Sequence, residues 1–313
     1  PIARVISIPK GGLSAARSRG LAEGRGEIVA YTDADVRVDP DWLTFLVQPM
    51  LDGTLVGCGG PNVVPDDDPD VAQCVARAPG GPTQVLIDDR VAEHVPGCNM
   101  AFRREALLAV GGFNPIYLRA GDDVDICWRL QAAGGTIGFA PAALVWHHHR
   151  ATVRAYWRQQ VGYGEGEAWL RHQHPDKFAG SSMVWHGRIY SPLPFVRALT
   201  RVRMDTGVWG LSPFPSVYHT GAEPWTYAPH SAPWYAATWL SLLAGIAALA
   251  VLPHPGAGAL RLAAGMAALG VTLVRCARYA WASDVRGLVR PSATHARLLR
   301  LRGLLAWLHY LQP

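Results

Sequence analysis

From Trp234 to Leu252 the chain runs 19 residues without a charged side chain. A helix rises about 1.5 Å per residue, so this run nearly crosses a hydrocarbon core of about 30 Å. Pro253-His-Pro-Gly256 breaks it, and a second apolar run follows from Leu262 to Val274, edged by Arg261 and Arg275. That run reaches spanning length if Arg275 and Arg278 extend to the interface. The pair is read as a transmembrane hairpin over 234–281; the competing reading is a buried helical hairpin in a soluble protein. No Lys or Arg occurs from Met204 to Leu260, whereas seven Arg lie between Arg275 and Arg302. The positive-inside rule then places the short turn outside and both flanks in the cytoplasm. The tail, 282–313, mixes Arg297, Arg300 and Arg302 with leucines and Trp307. It reads as a basic amphipathic helix lying at the interface, among membrane lipids.

Composition agrees with a mixed protein. Charged residues are 17% of the 313, below the roughly 25% usual for a soluble domain. Disordered and collagen-like chains are excluded. The net charge is +5, but the basic residues form no stripe, so no nucleic-acid partner is expected. Five cysteines, an odd number without a CxxC pair, point to a reducing compartment rather than disulfides or zinc. Residue 1 is Pro and Arg4 to Ile8 reads as a strand, so the chain is expected to begin inside a domain.

Up to about residue 150, strand and helix patterns alternate, which implies an α/β sandwich binding ligands at strand ends. Ser14 is expected to cap a helix reaching Glu23. Glu27 to Thr32 reads as a strand buried in a parallel sheet, and Asp39-Pro40 opens a helix with Asp39 as N-cap. Leu55 to Cys58, Asn99 to Phe102, Thr136 to Ala140 and Leu144 to His147 read as strands. Arg104 to Val110, the segment after Gly121, and Thr152 to His172 read as helices. Ser181 to Pro233 is rich in Pro and aromatics and reads as part of a connector over 176–233.

Three clusters carry chemistry. Asp33-Ala-Asp35 stands directly after a strand, and two carboxylates at that spacing suit a hard divalent ion, Mg²⁺ or Mn²⁺. Asp122, Asp123 and Asp125 stand at a helix start. They serve either the helix dipole, at about 0.3–1 kcal/mol each, or general-base chemistry. His147-His148-His149 ends a strand and is either a solvated run or the source of one imidazole for an oxygen-rich metal site.

Taken in order, these clusters resemble family 2 glycosyltransferases of the GT-A fold. The resemblance is carried by Gly11-Gly-Leu-Ser-Ala-Ala-Arg17, Tyr31-Thr-Asp-Ala-Asp35, Pro96-Gly-Cys-Asn-Met-Ala-Phe-Arg103, Gly111-Gly-Phe113, Gly121-Asp-Asp-Val-Asp-Ile-Cys-Trp-Arg129 and Val145-Trp-His147. It covers about 1–175, and the hairpin and basic tail are similar to membrane-attached bacterial members. It implies a Rossmann-like, mostly parallel sheet with flanking helices. It also implies inverting, metal-dependent transfer from a nucleotide-diphosphate sugar to a lipid-linked or surface-glycan acceptor. The expected setting is the cytoplasmic face of the bacterial inner membrane. Asp35 and His147 would hold the metal, with His148 the alternative to His147. Asp33, Gly11, Gly12 and Arg17 would line the donor cleft, and Asn99 would lie beside the transferred sugar. The family's acidic pair would be Asp122 and Asp123, with Asp123 the base.

Two departures shape the expectation. The family's opening strand and acidic nucleotide contact have no counterpart here, so a nucleotide pocket incomplete at its N-terminal side is implied. Arg154-Ala-Tyr-Trp157-Arg158-Gln-Gln160 is only loosely similar to the Gln-x-x-Arg-Trp motif of processive synthases, which favours single-sugar addition. The alternatives are a catalytically inactive membrane scaffold and a metal-dependent nucleotidyltransferase.

Overall fold

The computed structural model describes residues 3–78, 80–179, 182–190, 228–251, 255–283, 285 and 295–311. Most of the connector, 191–227, and the first part of the Pro253 break lie outside the described residues.

In chain order the elements begin with α1 (Leu13–Glu23), β1 (Ile28–Thr32), β2 (Val36–Val38), α2 (Trp42–Val47), β3 (Gly57–Gly59), β4 (Asn62–Val63) and α3 (Asp70–Val75). Then come β5 (Gln84–Leu86), β6 (Val91–His94), β7 (Asn99–Arg103), α4 (Arg104–Ala109), α5 (Asp122–Ala132), β8 (Ile137–Phe139) and β9 (Val145–His147). The chain continues through α6 (Val153–Gln173), β10 (Phe178–Ala179), β11 (Ser182–Met183), β12 (Arg188–Tyr190), α7 (Ala232–Val251), α8 (Gly256–Ala282) and α9 (His295–Leu311).

The main sheet has seven strands in the order β1-β7-β3-β8-β6-β5-β12. Among the described strands only β3 and β8 pair parallel in it, so the sheet is mixed rather than mostly parallel. The reason is local. β5 returns as β6 through a short turn in which Asp88 Oδ1 accepts from the N–H groups of Arg90 and Val91, and a short turn can only reverse the chain. β1 lies at one edge, paired among the described strands only with β7 and half-buried, not covered on both faces as expected. Its core side packs Tyr31 on Phe113, Leu107 and Ile126.

A smaller sheet, β2-β9-β4, sits beside the first and matters more for chemistry. Its register sets Val36 opposite His147. The acidic pair before β2 and the histidine ending β9 are therefore brought together by backbone pairing, across more than a hundred residues of sequence.

Several local expectations are corrected. Arg4 to Ile8 forms no strand, because no described neighbour pairs with it. Ser14 is not a cap. Gly12 holds that position at φ +85°, and the Ser14 hydroxyl donates instead to the Tyr117 carbonyl at 2.8 Å. Asp41, not Asp39, precedes α2, while Asp39 Oδ1 accepts from the Asp41 N–H. Thr152 caps α6, accepting from Ala155 N–H at 3.1 Å.

The apolar helices α7 and α8 have mean hydropathies of 1.6 and 1.7 over their most apolar stretches, and only 17% of each such stretch is buried. A helical hairpin in a soluble core would bury far more of that surface. Length and composition suffice for either helix to cross a membrane. The two pack closely because glycines face the partner backbone. A Cβ on Gly245 would stand 2.6 Å from Leu262 N, and one on Gly265 2.8 Å from Leu242 Cγ. After an alkaline carbonate wash the protein is expected to stay in the membrane pellet. Quantitative release into the supernatant would show that the hairpin is covered by protein.

The tail differs from its expectation. Leu301, Leu305 and Leu308 of α9 are buried with Cys74 and Val75 of α3, Tyr156 of α6 and Ala280 of α8. Arg297 pairs with Asp70 at 2.6 Å. The leucine stripe thus faces protein, while Trp307 and Leu299 remain exposed. Spacing alone marks an apolar stripe but not what covers it.

Candidate active site

One cavity of about 1340 Å³ collects the acidic clusters. Asp33 and Asp35 reach it from the turn between β1 and β2. His147 reaches it from the end of β9, and Asp122 and Asp123 from the first turn of α5. Gly121 opens α5 at φ +94°, a conformation that an L side chain rarely adopts, and so the chain turns sharply enough to aim that first turn inward. Three carboxylates at this helix start also meet the positive end of its dipole.

Ligand atoms of Asp33, Asp35 and His147 lie within 4.8 Å of one another. His147 Nε2 is 3.5 Å from Asp35 Oδ1, and its Nδ1 is buried without a hydrogen-bond partner among the described residues. Two carboxylates and an imidazole fit a divalent cation of the Mg²⁺ or Mn²⁺ kind. The His147 contact and the nearby Arg150 hold the Asp35 carboxyl down at about 2, against the opposing effect of burial. His148 turns elsewhere, with Nδ1 2.5 Å from Asp68 Oδ1. Its backbone N–H donates to the Asp35 carbonyl at 2.9 Å.

Arg17 joins the two acidic clusters. It is 7% exposed, donates to Asp122 Oδ2 at 2.5 Å, and reaches Asp33 Oδ1 at 3.3 Å. Burial raises the Asp122 carboxyl above its ordinary range, with Arg17 opposing and Asp123 adding to the rise. Asp123 behaves oppositely. Burial disfavours its charge, but the His94 imidazole, Arg17 and the Gly97 N–H together hold it below the usual carboxylate range. Gly97 donates to Asp123 Oδ2 at 2.9 Å, and His94 Nε2 stands 3.6 Å from the same oxygen. Two adjacent carboxyls thus differ in character: Asp122 is tied to an arginine, and Asp123 is held below the usual carboxylate range and is partly open to the cavity.

Other expected site residues lie elsewhere. Gly11 and Gly12 are not in the cavity wall, which Leu13 lines instead. Gly12 backs onto Leu118, where a Cβ would fall 2.8 Å from the Leu118 Cα. Asn99 is fully buried outside the cavity wall. Its Nδ2 donates to the Pro61 and Ala143 carbonyls, and its Oδ1 accepts from Trp42 Nε1 at 2.8 Å. These bonds tie α2, β7 and the approach to β9.

His94, Arg150 and Trp185 also stand in the cavity wall. His94 ends a four-residue strand with no motif to mark it. Arg150, by contrast, directly follows the histidine triplet and could have been singled out there.

The model of the glycosyl transferase family group 2 matches residues 28–267, well over half of the chain. A pre-mycofactocin glycosyltransferase of Mycobacterium tuberculosis is 33% identical over 186 residues, covering 56% of this chain and 39% of that protein. A glucosyl-dolichyl phosphate glucuronosyltransferase of Haloferax volcanii is 31% identical over 142 residues, covering 40% of this chain and 43% of that one. The matched stretches thus span less than half the length of these curated relatives. Among solved structures, the Pyrobaculum calidifontis mannosyltransferase PcManGT, in complex with GDP-Man and Mn²⁺, overlaps loosely. It has a TM-score of 0.37 at 18% identity, covering 96% of this chain and 66% of that one. The mixed GT-A-like sheet, the acidic turn after β1 and the acidic start of α5 all lie inside the matched region, and the chain belongs to glycosyl transferase family group 2.

Proposed function

We propose that this protein transfers a sugar, with inversion, from a nucleotide-diphosphate donor to a lipid-linked or surface-glycan acceptor at the cytoplasmic face of the membrane. The observation that carries the reading is the shared cavity: the Asp33, Asp35 and His147 group and Asp123 open onto the same space. Asp33, Asp35 and His147 would hold a divalent cation, which when bound stabilises the charge developing on a diphosphate leaving group.

The chain's own residues supply the rest. Asp123 takes the proton of the attacking acceptor hydroxyl. A bond forms from that oxygen to the anomeric carbon as the bond to the diphosphate breaks, its electron pair leaving with the diphosphate. Gly97 N–H and His94 keep the Asp123 carboxylate oriented. Arg17 fixes the distance between the two acidic clusters.

The acceptor class rests on the position of the cavity. Its α6 wall is packed through Tyr156 onto α9 and the end of α8, so the cavity lies near the apolar hairpin. A relative named for glucosyl-dolichyl phosphate supports a lipid-linked acceptor. The proposed layout is a glycosyltransferase domain over 1–175, a connector, the hairpin and the basic tail.

Purified protein given Mn²⁺, a polyprenyl-phosphate acceptor and a panel of UDP- and GDP-sugars is expected to release nucleoside diphosphate from at least one donor. EDTA is expected to stop the release. Silence across the panel, with the fold intact by circular dichroism, would overturn the reading.

A further inference from the structure

Asp35 already holds a cation. Arg150 Nη1 donates to Asp35 Oδ2 at 3.0 Å, while His147 Nε2 faces the other carboxylate oxygen at 3.5 Å. Arg150 lies in the short segment between β9 and α6, and its side chain is 43% exposed. Asp35 is its one side-chain partner among the described residues. The other cavity arginines near acids are placed differently. Arg17 is buried and clamped by Asp122 and Asp33, and Arg119 pairs with Glu165 at 3.0 Å. Arg150 is therefore the guanidinium at the cation group that can leave without uncovering a buried charge.

We propose that Arg150 occupies the cation's place on Asp35 until a divalent ion arrives, and then turns to the diphosphate of the donor. The proposal rests on the reading of Asp33, Asp35 and His147 as a cation site. A divalent ion and a guanidinium are like charges and compete for one carboxylate. Displaced, Arg150 stays tethered at the cavity wall with an unpaired fork of donors. That fork can take two phosphate oxygens at once, which a lysine ammonium or a side-chain amide does not. The cation would thus make the site ready for the diphosphate, and by linkage the diphosphate would tighten the cation.

The test uses Mn²⁺ alone, then UDP and GDP, by titration calorimetry on the purified protein. Arg150→Gln removes the competing charge and keeps a polar side chain on an exposed segment. It is expected to bind Mn²⁺ about two- to fivefold more tightly, the range of a partly exposed ion pair. With Mn²⁺ saturating, it is expected to bind whichever of UDP and GDP the parent binds about tenfold more weakly, as for loss of a charged hydrogen bond. Arg150→Lys keeps the charge without the fork, so its Mn²⁺ affinity should stay near the parent value while nucleotide binding weakens.

Unchanged or weaker Mn²⁺ binding by Arg150→Gln, with Asp35→Asn losing Mn²⁺, overturns the proposal and leaves the cation site standing. Tighter Mn²⁺ binding with unchanged nucleotide binding overturns the turn to the diphosphate. A parent protein that binds no Mn²⁺ overturns the cation site and this proposal together.

Discussion

Asp123→Asn is expected to lower sugar transfer by about 10²–10⁴-fold, the usual worth of a positioned general base. Asparagine keeps the size of the side chain and can still accept from Gly97 N–H, which Asp123 Oδ2 does at 2.9 Å. It cannot take up a proton. The parent carboxyl is held below the usual carboxylate range, with His94, Arg17 and the Gly97 N–H outweighing burial. Nucleotide binding should survive, because the cation group and Arg150 lie on the β2–β9 side of the cavity. The neighbouring acids should fail differently. Asp122→Asn removes the charge of the buried Arg17's 2.5 Å partner and should show first as lost stability. Asp125 is 1% exposed, with Arg129 at 2.6 Å and His174 at 2.8 Å, so Asp125→Asn should also act on the fold. Rates and melting temperatures of the three variants decide the matter. A well-folded Asp123→Asn protein working at the parent rate, beside a well-folded but inactive Asp122→Asn, would move the base by one residue.

The places where the sequence could be read and where it could not follow from how far each signal reaches. The Asp33-Ala-Asp35 turn and the acidic start of α5 were legible because each is a short stretch joined to a strand or helix pattern. That Arg17 bridges them was not, since its role depends on α1 packing beside α5, more than a hundred residues on. Sheet direction failed for a similar reason. The runs at β1, β7 and β8 look alike as apolar strands, and only pairing tells that β7 runs against both β1 and β3. β5 and β6 were invisible because Gln84, Glu93 and His94 are buried polar residues in strands of three and four. Glu93 is satisfied by Gly187 N–H and His186, contacts that no local pattern announces. Asn99 also takes its place from distant contacts. Its motif context suggested a ligand contact, whereas its amide holds two carbonyls and an indole in the core.

Asp35→Asn should cost about 10²–10³-fold in Mn²⁺ affinity. Two unit charges 4 Å apart interact by about 4 kcal/mol at an effective dielectric of 20, and a divalent ion in direct contact gains more before its lost hydration is set against it. The fold should tolerate the change. The Asp35 side chain is 34% exposed, and its pairs with Arg150 at 3.0 Å and His147 at 3.5 Å are of the partly exposed kind that contributes little to stability. His147→Ala should act in the same direction but more weakly, because a neutral imidazole offers a lone pair without a charge. Asp33→Asn should fall between them, since Asp33 already shares its oxygen with Arg17 at 3.3 Å. Manganese titrations followed by electron paramagnetic resonance give all three affinities without any need for a turning-over enzyme. Parent-like Mn²⁺ binding by both Asp35→Asn and Asp33→Asn would remove the turn between β1 and β2 from the cation site. The acidic start of α5 would then be the remaining carboxylate cluster on the cavity, and Asp123 could no longer be assigned as a free base.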